Sequence, residues 1–329
     1  STINRGALED HYANATGGSI AYSTASWKGI HFGIKGIFTY NLSSSELAGN
    51  DSLGIRPSKW EQELFDLTHP AKTKDLDRLE ELYVAYDHKH FHAALGKIDI
   101  DKGPLLKRRD GRMKPFVYKG LWSEWKHSKK FRLYNGVLWG ISPRGMTEWY
   151  TFNEAIGILH NGQLNDSTNL DYWEKTNSKG LLVTGIESEF KKHLHFEFWN
   201  YYLHNVHNTS WIQSEFKSSR IRFGVQYVFQ FADKNQSFLL TENRYVHNTS
   251  HTLAVMFRYD LNSHLKFRIA QLLGQGTFLY PKEINRDNFY TSIQRSWTDG
   301  LGNARISLAG ITYLPIPKKN ESFQIDLNV

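Results

Sequence analysis

The 329-residue sequence contains no cysteine. Disulfide bridges, thiolate metal sites and cysteine nucleophiles are therefore excluded. The sequence also lacks any uninterrupted apolar run of about 18 residues, the length that a membrane-spanning helix requires. Its mean hydropathy is −0.53. These absences exclude a helical membrane protein, but they do not exclude a transmembrane barrel, because half of each barrel strand faces a wet lumen.

Signatures of export, catalysis and cofactor binding are also missing. The chain opens without the charged and apolar regions of a signal peptide, so either it is not exported or the peptide has been removed, and we expect removal. Gly274-Gln-Gly-Thr does not continue into a phosphate-binding Gly-Lys-Ser. No catalytic triad can be assembled, and His88, His90 and His92 span a tight turn with no evident carboxylate ligands. We expect no enzyme activity, metal or cofactor.

The formal net charge is +7. Its Lys and Arg residues are spread along the chain instead of forming a block or a known nucleic-acid motif. We therefore expect small anionic solutes as partners, and no nucleic acid.

What the sequence does contain is a regular alternation of apolar and polar residues, seen most clearly in residues 220–231. Ile221, Phe223 and Tyr227 share one parity, and Arg220 and Arg222 share the other. Successive side chains of a strand point to opposite sides. The pattern predicts a strand with one apolar face and one cationic face, and the apolar face needs either a packed core or lipid beside it.

The same alternation recurs in roughly fourteen segments joined as neighbouring hairpins. It predicts an all-β fold in which residues 1–329 form one antiparallel barrel domain. Short turns alternate with long loops that we expect to be extracellular or folded inward, a pattern typical of transmembrane barrels. The short turns are at 27–29, 88–90 and 262–263, and the long loops are at 43–78, 100–115, 142–178, 233–249 and 274–303.

The positions of cations favour lipid over a soluble core. Strand cations keep to the polar parity, and the exceptions, Lys97 and Lys119, lie near strand ends, where a lipid-facing cation costs little; at the bilayer midplane it costs about 2–4 kcal/mol. A soluble β-sandwich or barrel is the alternative, but a small soluble barrel has no room for so many inward aromatics. Aromatic residues near strand ends are expected to form interfacial girdles. They are Trp27, Tyr40, Tyr86, Trp125, Trp139, Trp211, Tyr259 and Tyr313.

Four stretches resemble one family. They are residues 7–42, which begin Ala-Leu-Glu-Asp-His-Tyr, 74–83 (Lys-Asp-Leu-Asp-Arg-Leu-Glu-Glu-Leu-Tyr), 109–122 (Arg-Asp-Gly-Arg-Met-Lys-Pro running into Gly-Leu-Trp) and 280–291 (Tyr-Pro-Lys-Glu-Ile-Asn-Arg-Asp-Asn-Phe-Tyr-Thr). The chain is similar in these stretches to the OprD-type outer-membrane porins, especially members from the Bacteroidetes. The family barrel has eighteen strands. An open barrel edge in lipid leaves unpaired backbone groups, so we expect this chain to lack N- and C-terminal strands; a smaller barrel that closes on itself is the alternative.

The resemblance implies inward loops that narrow a pore and a ladder of basic side chains that guides carboxylates. It places Arg109, Asp110, Arg112 and Lys114 near one inward loop, although Asp110 and Arg112 could instead form a salt-bridged turn. Arg286 and Asp287 are expected at the mouth or constriction, or in a packed loop without solute contact. Strand parity adds further lumen candidates, a minority of which should pair with Glu81, Asp87, Glu197 or Asp260. These candidates are Lys35, Arg132, Arg220, Arg222, Arg258, Lys266, Arg268 and Arg305.

The predicted function is passive diffusion of small polar, anionic or zwitterionic solutes, with carboxylates foremost, through a porin in the outer membrane of a Gram-negative bacterium. Besides solutes, the expected partners are outer-membrane lipid and lipopolysaccharide, with envelope proteins as a further candidate. Three alternatives stay open: a barrel component of a larger outer-membrane complex with no free channel, a barrel enzyme, and a soluble carbohydrate-binding protein.

Overall fold

Fourteen strands dominate the structure, a computed structural model that describes residues 10–49, 59–109, 112–159, 166–190, 193–285, 288–292, 300–316 and 321–328. The strands are β1 (Ala13–Ser23), β2 (Ile30–Ser44), β3 (Arg78–His88), β4 (Phe91–Ile98), β5 (Val117–Ser128), β6 (Phe131–Ser142), β7 (Leu181–Phe190), β8 (Leu194–Leu203), β9 (His207–Lys217), β10 (Ile221–Ala232), β11 (Ser250–Asp260), β12 (Leu265–Gln275), β13 (Arg305–Ile316) and β14 (Glu321–Asn328).

The strands form one antiparallel sheet in sequence order, from β1 to β14. Each strand pairs with the next, so the predicted all-β meander of neighbouring hairpins is confirmed. Among the described residues, β1 and β14 are the outer strands and do not pair with each other. The described sheet is therefore not a closed barrel, and closure through additional strands stays a prediction.

Short and long connections lie at opposite ends of the sheet. Two-residue turns follow β3 and β5, whereas residues 45–77, 143–180 and 276–304 connect strands at the other end. We call these the short-turn end and the long-loop end. Residues 204–206, between β8 and β9, form a short connection at the long-loop end.

Helices are minor features of this fold. Helix α1 is Lys59–Gln62, helix α2 is Phe152–Ala155, and 3₁₀ helices cover Lys234–Phe238 and Thr241–Asn243. Thr151 caps α2, because its hydroxyl accepts from the Glu154 backbone N–H while the Glu154 carboxylate accepts from the Thr151 N–H. No helix within the described ranges is long and apolar enough to cross a membrane.

The two faces of the sheet differ as the alternation predicts. On the outward face, large apolar side chains are exposed; the exposed fraction is 74% for Ile20 and 58% for both Phe32 and Ile269. On the inward face, Trp199 and Tyr201 are fully buried. Exposed apolar side chains on strand after strand fit contact with lipid, not with water.

Six of the eight aromatic residues predicted to form an interfacial girdle are exposed. Outward, exposed positions are occupied by Trp27, Tyr40, Tyr86, Trp125, Trp139 and Tyr313. The girdle prediction is wrong for Trp211. This residue is fully buried on the inward face of β9, where its ring stacks on the Phe289 ring with 4.7 Å between the ring centroids. The prediction was wrong there because the inward face is itself rich in aromatics at the long-loop end.

Candidate functional site

Three arginines form a row across the inward face near the short-turn end. Arg222 of β10 lies directly opposite Arg258 of β11, which lies directly opposite Arg268 of β12. Directly opposed side chains on adjacent strands have Cβ atoms about 4.5–5.5 Å apart, and like charges in that position repel. This arginine row therefore concentrates positive charge on the inward wall, in agreement with the parity prediction for all three residues.

Two members of the row already have protein partners. Arg258 binds Asp260 bidentately, with Nε–Oδ1 at 2.7 Å and Nη2–Oδ2 at 3.1 Å. Arg268 donates from Nη2 to the backbone carbonyl of Tyr290. Arg222 and nearby Lys266, by contrast, make no ion pair with any residue in the described ranges, and both are only half-buried. Within the described ranges, therefore, neither of these two side chains is engaged by a carboxylate.

Carboxylates lie on the same inward wall beside the arginine row. Glu187 and Glu197 are directly opposed on β7 and β8, and Glu215 follows on β9. The Tyr134 hydroxyl donates to Glu187 Oε2 at 2.8 Å, and Nε2 of His195 lies 2.8 Å from Glu197 Oε1. The wall is therefore not uniformly cationic: an acidic sector on β7–β9, which includes the predicted wall residue Glu197, lies next to a basic sector on β10–β12.

The β12–β13 loop extends along this wall as far as the arginine row. Its Tyr290 donates from the hydroxyl to Glu215 Oε1 at 2.8 Å, and the Tyr290 backbone N–H donates to Gln226 Oε1 at 2.9 Å. Gln226 also donates to the carbonyl of Asn288 at 3.1 Å. Residues 288–292 are thus fixed against both sectors, so the loop narrows the inward space beside Arg222.

A second inward loop, between β4 and β5, is tied to the first. Asn285 donates from Nδ2 to the carbonyl of Lys107 at 2.7 Å and accepts at Oδ1 from Arg109 Nε at 3.0 Å. The Tyr118 hydroxyl donates to the carbonyl of Ile284 at 3.0 Å. The structure therefore brings Arg109 to the inward loops, where its guanidinium joins two loops.

Arg112 and Lys114 hold the β2–β3 loop. Arg112 Nε lies 3.5 Å from Glu63 Oε2. Lys114 is fully buried and donates from Nζ to the Leu64 carbonyl at 2.9 Å; burial lowers its pKa to about 8. Neither contact involves the arginine row, so these cations position a loop. Asp110, Arg286 and Asp287 lie outside the described residues.

The remaining predicted cations have varied positions. Lys35 faces inward. Its Nζ atom lies 2.7 Å from Glu80 Oε1 and 3.4 Å from Glu81 Oε1, so the predicted pairing of a wall cation with Glu81 is confirmed for Lys35. Arg132 faces inward, with its Nη1 atom 3.8 Å from a Glu187 oxygen. Arg220 is exposed in the turn between β9 and β10, at the rim of the sheet.

The prediction that Arg305 lines the lumen is wrong, because Arg305 lies on the outward face. It is directly opposite Leu273, an exposed outward side chain, and shares strand parity with exposed Ile311 and Tyr313. Leu308, on the opposite parity of the same strand, is buried on the inward face. Arg305 is the first residue of β13, at the long-loop end, where an outward cation can reach the interface at little cost.

Sequence reasoning missed the role of Arg78, the first residue of β3. Its buried guanidinium donates to Glu80 at 3.1 Å, to the Pro115 carbonyl at 2.7 Å and to Ser142 Oγ at 3.0 Å. It also reaches the carbonyls of Pro143 and Met146, both at 3.3 Å. One side chain thus joins the β4–β5 and β6–β7 loops. Its presence in the family-like stretch 74–83 was the available signal.

Glu283 links the β12–β13 loop to the β6–β7 loop. Its buried carboxylate accepts from the Leu159 backbone N–H at 3.2 Å. Burial raises its pKa from 4.5 to about 7. Because the folded state holds this proton more tightly than the unfolded state, this contribution to stability is fully present below about pH 4.5 and is lost as pH rises to about 7.

We expect Glu283→Gln to reduce this pH dependence, since glutamine keeps an acceptor for Leu159 without a titrating group. Melting in detergent between pH 4.5 and 8 should show a smaller decline for the variant than for the wild type. Glu242→Gln, a change in another long loop, serves as the control. Equal pH profiles for Glu283→Gln and wild type would exclude Glu283 as the titrating group.

Comparisons with solved structures establish the fold. Acinetobacter baumannii OccAB4 aligns with a TM-score of 0.69 at 12% identity, covering 99% of this chain and 78% of that one. Pseudomonas aeruginosa OpdK, solved with vanillate, aligns at 0.58 with 16% identity, covering 92% and 72%. OccK8 (OprE) of the same organism aligns at 0.64 with 13% identity, covering 92% and 74%.

The sequence matches no protein-family model and no curated protein. The structural similarity is nevertheless broad, since it includes more than nine-tenths of this chain in each of these three pairs. The fold is that of the OprD/Occ outer-membrane porins, so the fold that the sequence resemblance implied is confirmed.

Proposed function

We propose that the protein is an outer-membrane channel for passive diffusion of small polar or anionic solutes, with carboxylates as the preferred class. The observation that carries this proposal is the arginine row on the inward wall, where Arg222 and Lys266 form no ion pair with the residues that the structure describes. The fold supports it, because the similar OpdK is named as an outer membrane protein. Vanillate, present in an OpdK structure, is a carboxylate.

The chemistry of the wall fits carboxylate passage. A guanidinium binds a carboxylate through two parallel hydrogen bonds. A row of like charges raises the local anion concentration and the rate of entry, and salt weakens the effect. Arg268 adds to this field while it is held by the Tyr290 carbonyl, and Arg222 and Lys266 supply the direct contacts.

The acidic sector extends the proposal to zwitterions. Glu187, Glu197 and Glu215 lie on strands next to the basic sector. A solute with both an amino and a carboxylate group can contact the two sectors together, whereas a purely cationic solute meets the repulsive arginine row. We therefore rank carboxylates and zwitterions above cations as solutes.

Removing the available cations tests this mechanism. We expect Arg222→Ala/Lys266→Ala to shift the reversal potential in a KCl gradient towards cation preference, because the acidic sector then dominates the wall. The measurement is made on single channels of the full-length protein in planar bilayers. Lys175→Ala/Lys234→Ala removes two exposed long-loop lysines as a charge-matched control. An unchanged reversal potential in the first variant would remove both residues from the conducting path.

A second candidate is a barrel subunit of a larger envelope complex without a free channel. The observation that favours it is the extensive packing of loops against the inward wall, such as Phe289 on Trp211. This candidate predicts folded, detergent-soluble protein that gives no conductance.

A further inference from the structure

Two lysines interrupt the apolar outward face near the long-loop end. Lys97 of β4 lies directly opposite Lys119 of β5. One step toward the short-turn end, the same face carries the opposed pair Leu95 and Leu121, both exposed. Both lysines therefore project from the surface that contacts lipid, on the side opposite to the arginine row.

Neither lysine has an acidic partner among the described residues. Lys97 forms a cation–π contact, with Nζ 4.6 Å from the centroid of the Trp149 ring. Lys119 makes no ion pair in the described ranges and is exposed. Directly opposed like charges on adjacent strands are destabilising. An anion bound between the two ammonium groups removes this repulsion.

The surroundings of the pair suit the headgroup region of a membrane. Trp149 is held in place by a hydrogen bond from its Nε1 to the Leu79 carbonyl at 3.1 Å. Trp139 is an outward, exposed residue next to Gly140, which lies opposite Lys119. A Cβ at position 140 would lie 3.2 Å from the Lys119 Cβ, so glycine leaves room beside this lysine. Tryptophan and lysine together are typical of the membrane–water interface.

We propose that Lys97 and Lys119 bind the phosphate of an outer-leaflet phosphoglycolipid, whose acyl chains lie along the apolar outward face below them. The two ammonium groups supply the charge complement to a phosphate, and Trp149 and Trp139 flank the sugar region. The continuity of the site with the lipid-facing surface assigns it to lipid instead of free phosphate. The inference rests on the proposed membrane location, but not on solute transport.

Lipid binding by the folded full-length protein in detergent tests the site, with native mass spectrometry against bisphosphorylated lipid A. We expect Lys97→Ala/Lys119→Ala to weaken binding by about 30-fold, since each lysine near a membrane surface contributes roughly a factor of five. The long-loop control Lys175→Ala/Lys234→Ala should bind like the wild type. Heat-modifiable migration confirms that each variant is folded.

Two further probes separate the sources of phosphate. Dephosphorylated lipid A should bind the wild type as weakly as lipid A binds the double variant, and millimolar inorganic phosphate should not displace lipid A. Equal lipid A binding by the double variant and the wild type, or full displacement by inorganic phosphate, would overturn the proposal. Channel conductance should be unchanged in the double variant, so failure of the lipid site and failure of the proposed channel are distinguishable.

Discussion

Arg78→Ala is expected to lower the free energy of unfolding by about 3–5 kcal/mol, the cost of breaking a buried ion pair. Among the described residues, the change leaves Glu80 with Lys35, at 2.7 Å, as its cationic partner. It also removes the donors to the carbonyls of Pro115, Pro143 and Met146. Guanidinium unfolding in detergent measures the loss.

Arg132→Ala is the matched control for Arg78→Ala. Arg132 is also an inward arginine near a carboxylate, but its Nη1 atom is 3.8 Å from Glu187 and its side chain is 45% exposed. Exposed ion pairs contribute about 0–1 kcal/mol. If Arg78→Ala is no more destabilising than Arg132→Ala, Arg78 does not hold the loops together.

Trp211→Ala is also expected to lower the free energy of unfolding by about 3–5 kcal/mol, because it removes a fully buried tryptophan side chain. The ring stacks on Phe289, which follows Asn288 and precedes Tyr290 in the inward loop. Loss of the stack should loosen the loop beside the arginine row. We therefore expect greater open-channel noise in single-channel records, in addition to a lower denaturation midpoint.

Trp125→Ala separates this effect from the loss of any tryptophan. Trp125 is an outward residue of β5 near the short-turn end, and 43% of it is exposed. It should have a smaller effect on unfolding and none on channel noise. If the two variants have the same noise, the Trp211–Phe289 contact does not restrain the loop.

Much of the fold follows from the alternation alone. The parity of residues 220–231 placed Arg222 on the inward face, and the same rule placed Arg258, Lys266 and Arg268 correctly. The rule worked near the short-turn end because the inward face there is polar while the outward face is apolar, so side-chain polarity distinguishes the two.

The same rule failed near the long-loop end. There the inward wall packs against loops and is apolar itself, as buried Leu272, Leu308 and Trp211 show. Both faces of a strand then carry apolar side chains, and one polar residue such as Arg305 no longer identifies the lumen. The sequence could not show that loops pack against this part of the inward wall, and this packing is why the face predicted for Arg305 is wrong.

Contacts between distant loops were beyond sequence reasoning for a different reason. Arg109 meets Asn285 across 176 residues, and Tyr290 meets Glu215 across 75. No local periodicity relates such positions, because loops have no fixed side-chain repeat. The family-like stretches marked both loops as important, but only the structure shows that many of their charges bind other protein groups.

Single-channel recording of the folded full-length protein in planar bilayers tests the central claim most directly. The account predicts ohmic steps whose reversal potential in a KCl gradient shows anion preference. This preference should decline as the salt concentration rises, and a small carboxylate should block the current. Folded protein that inserts but gives no conductance, or gives channels that prefer cations, would contradict it.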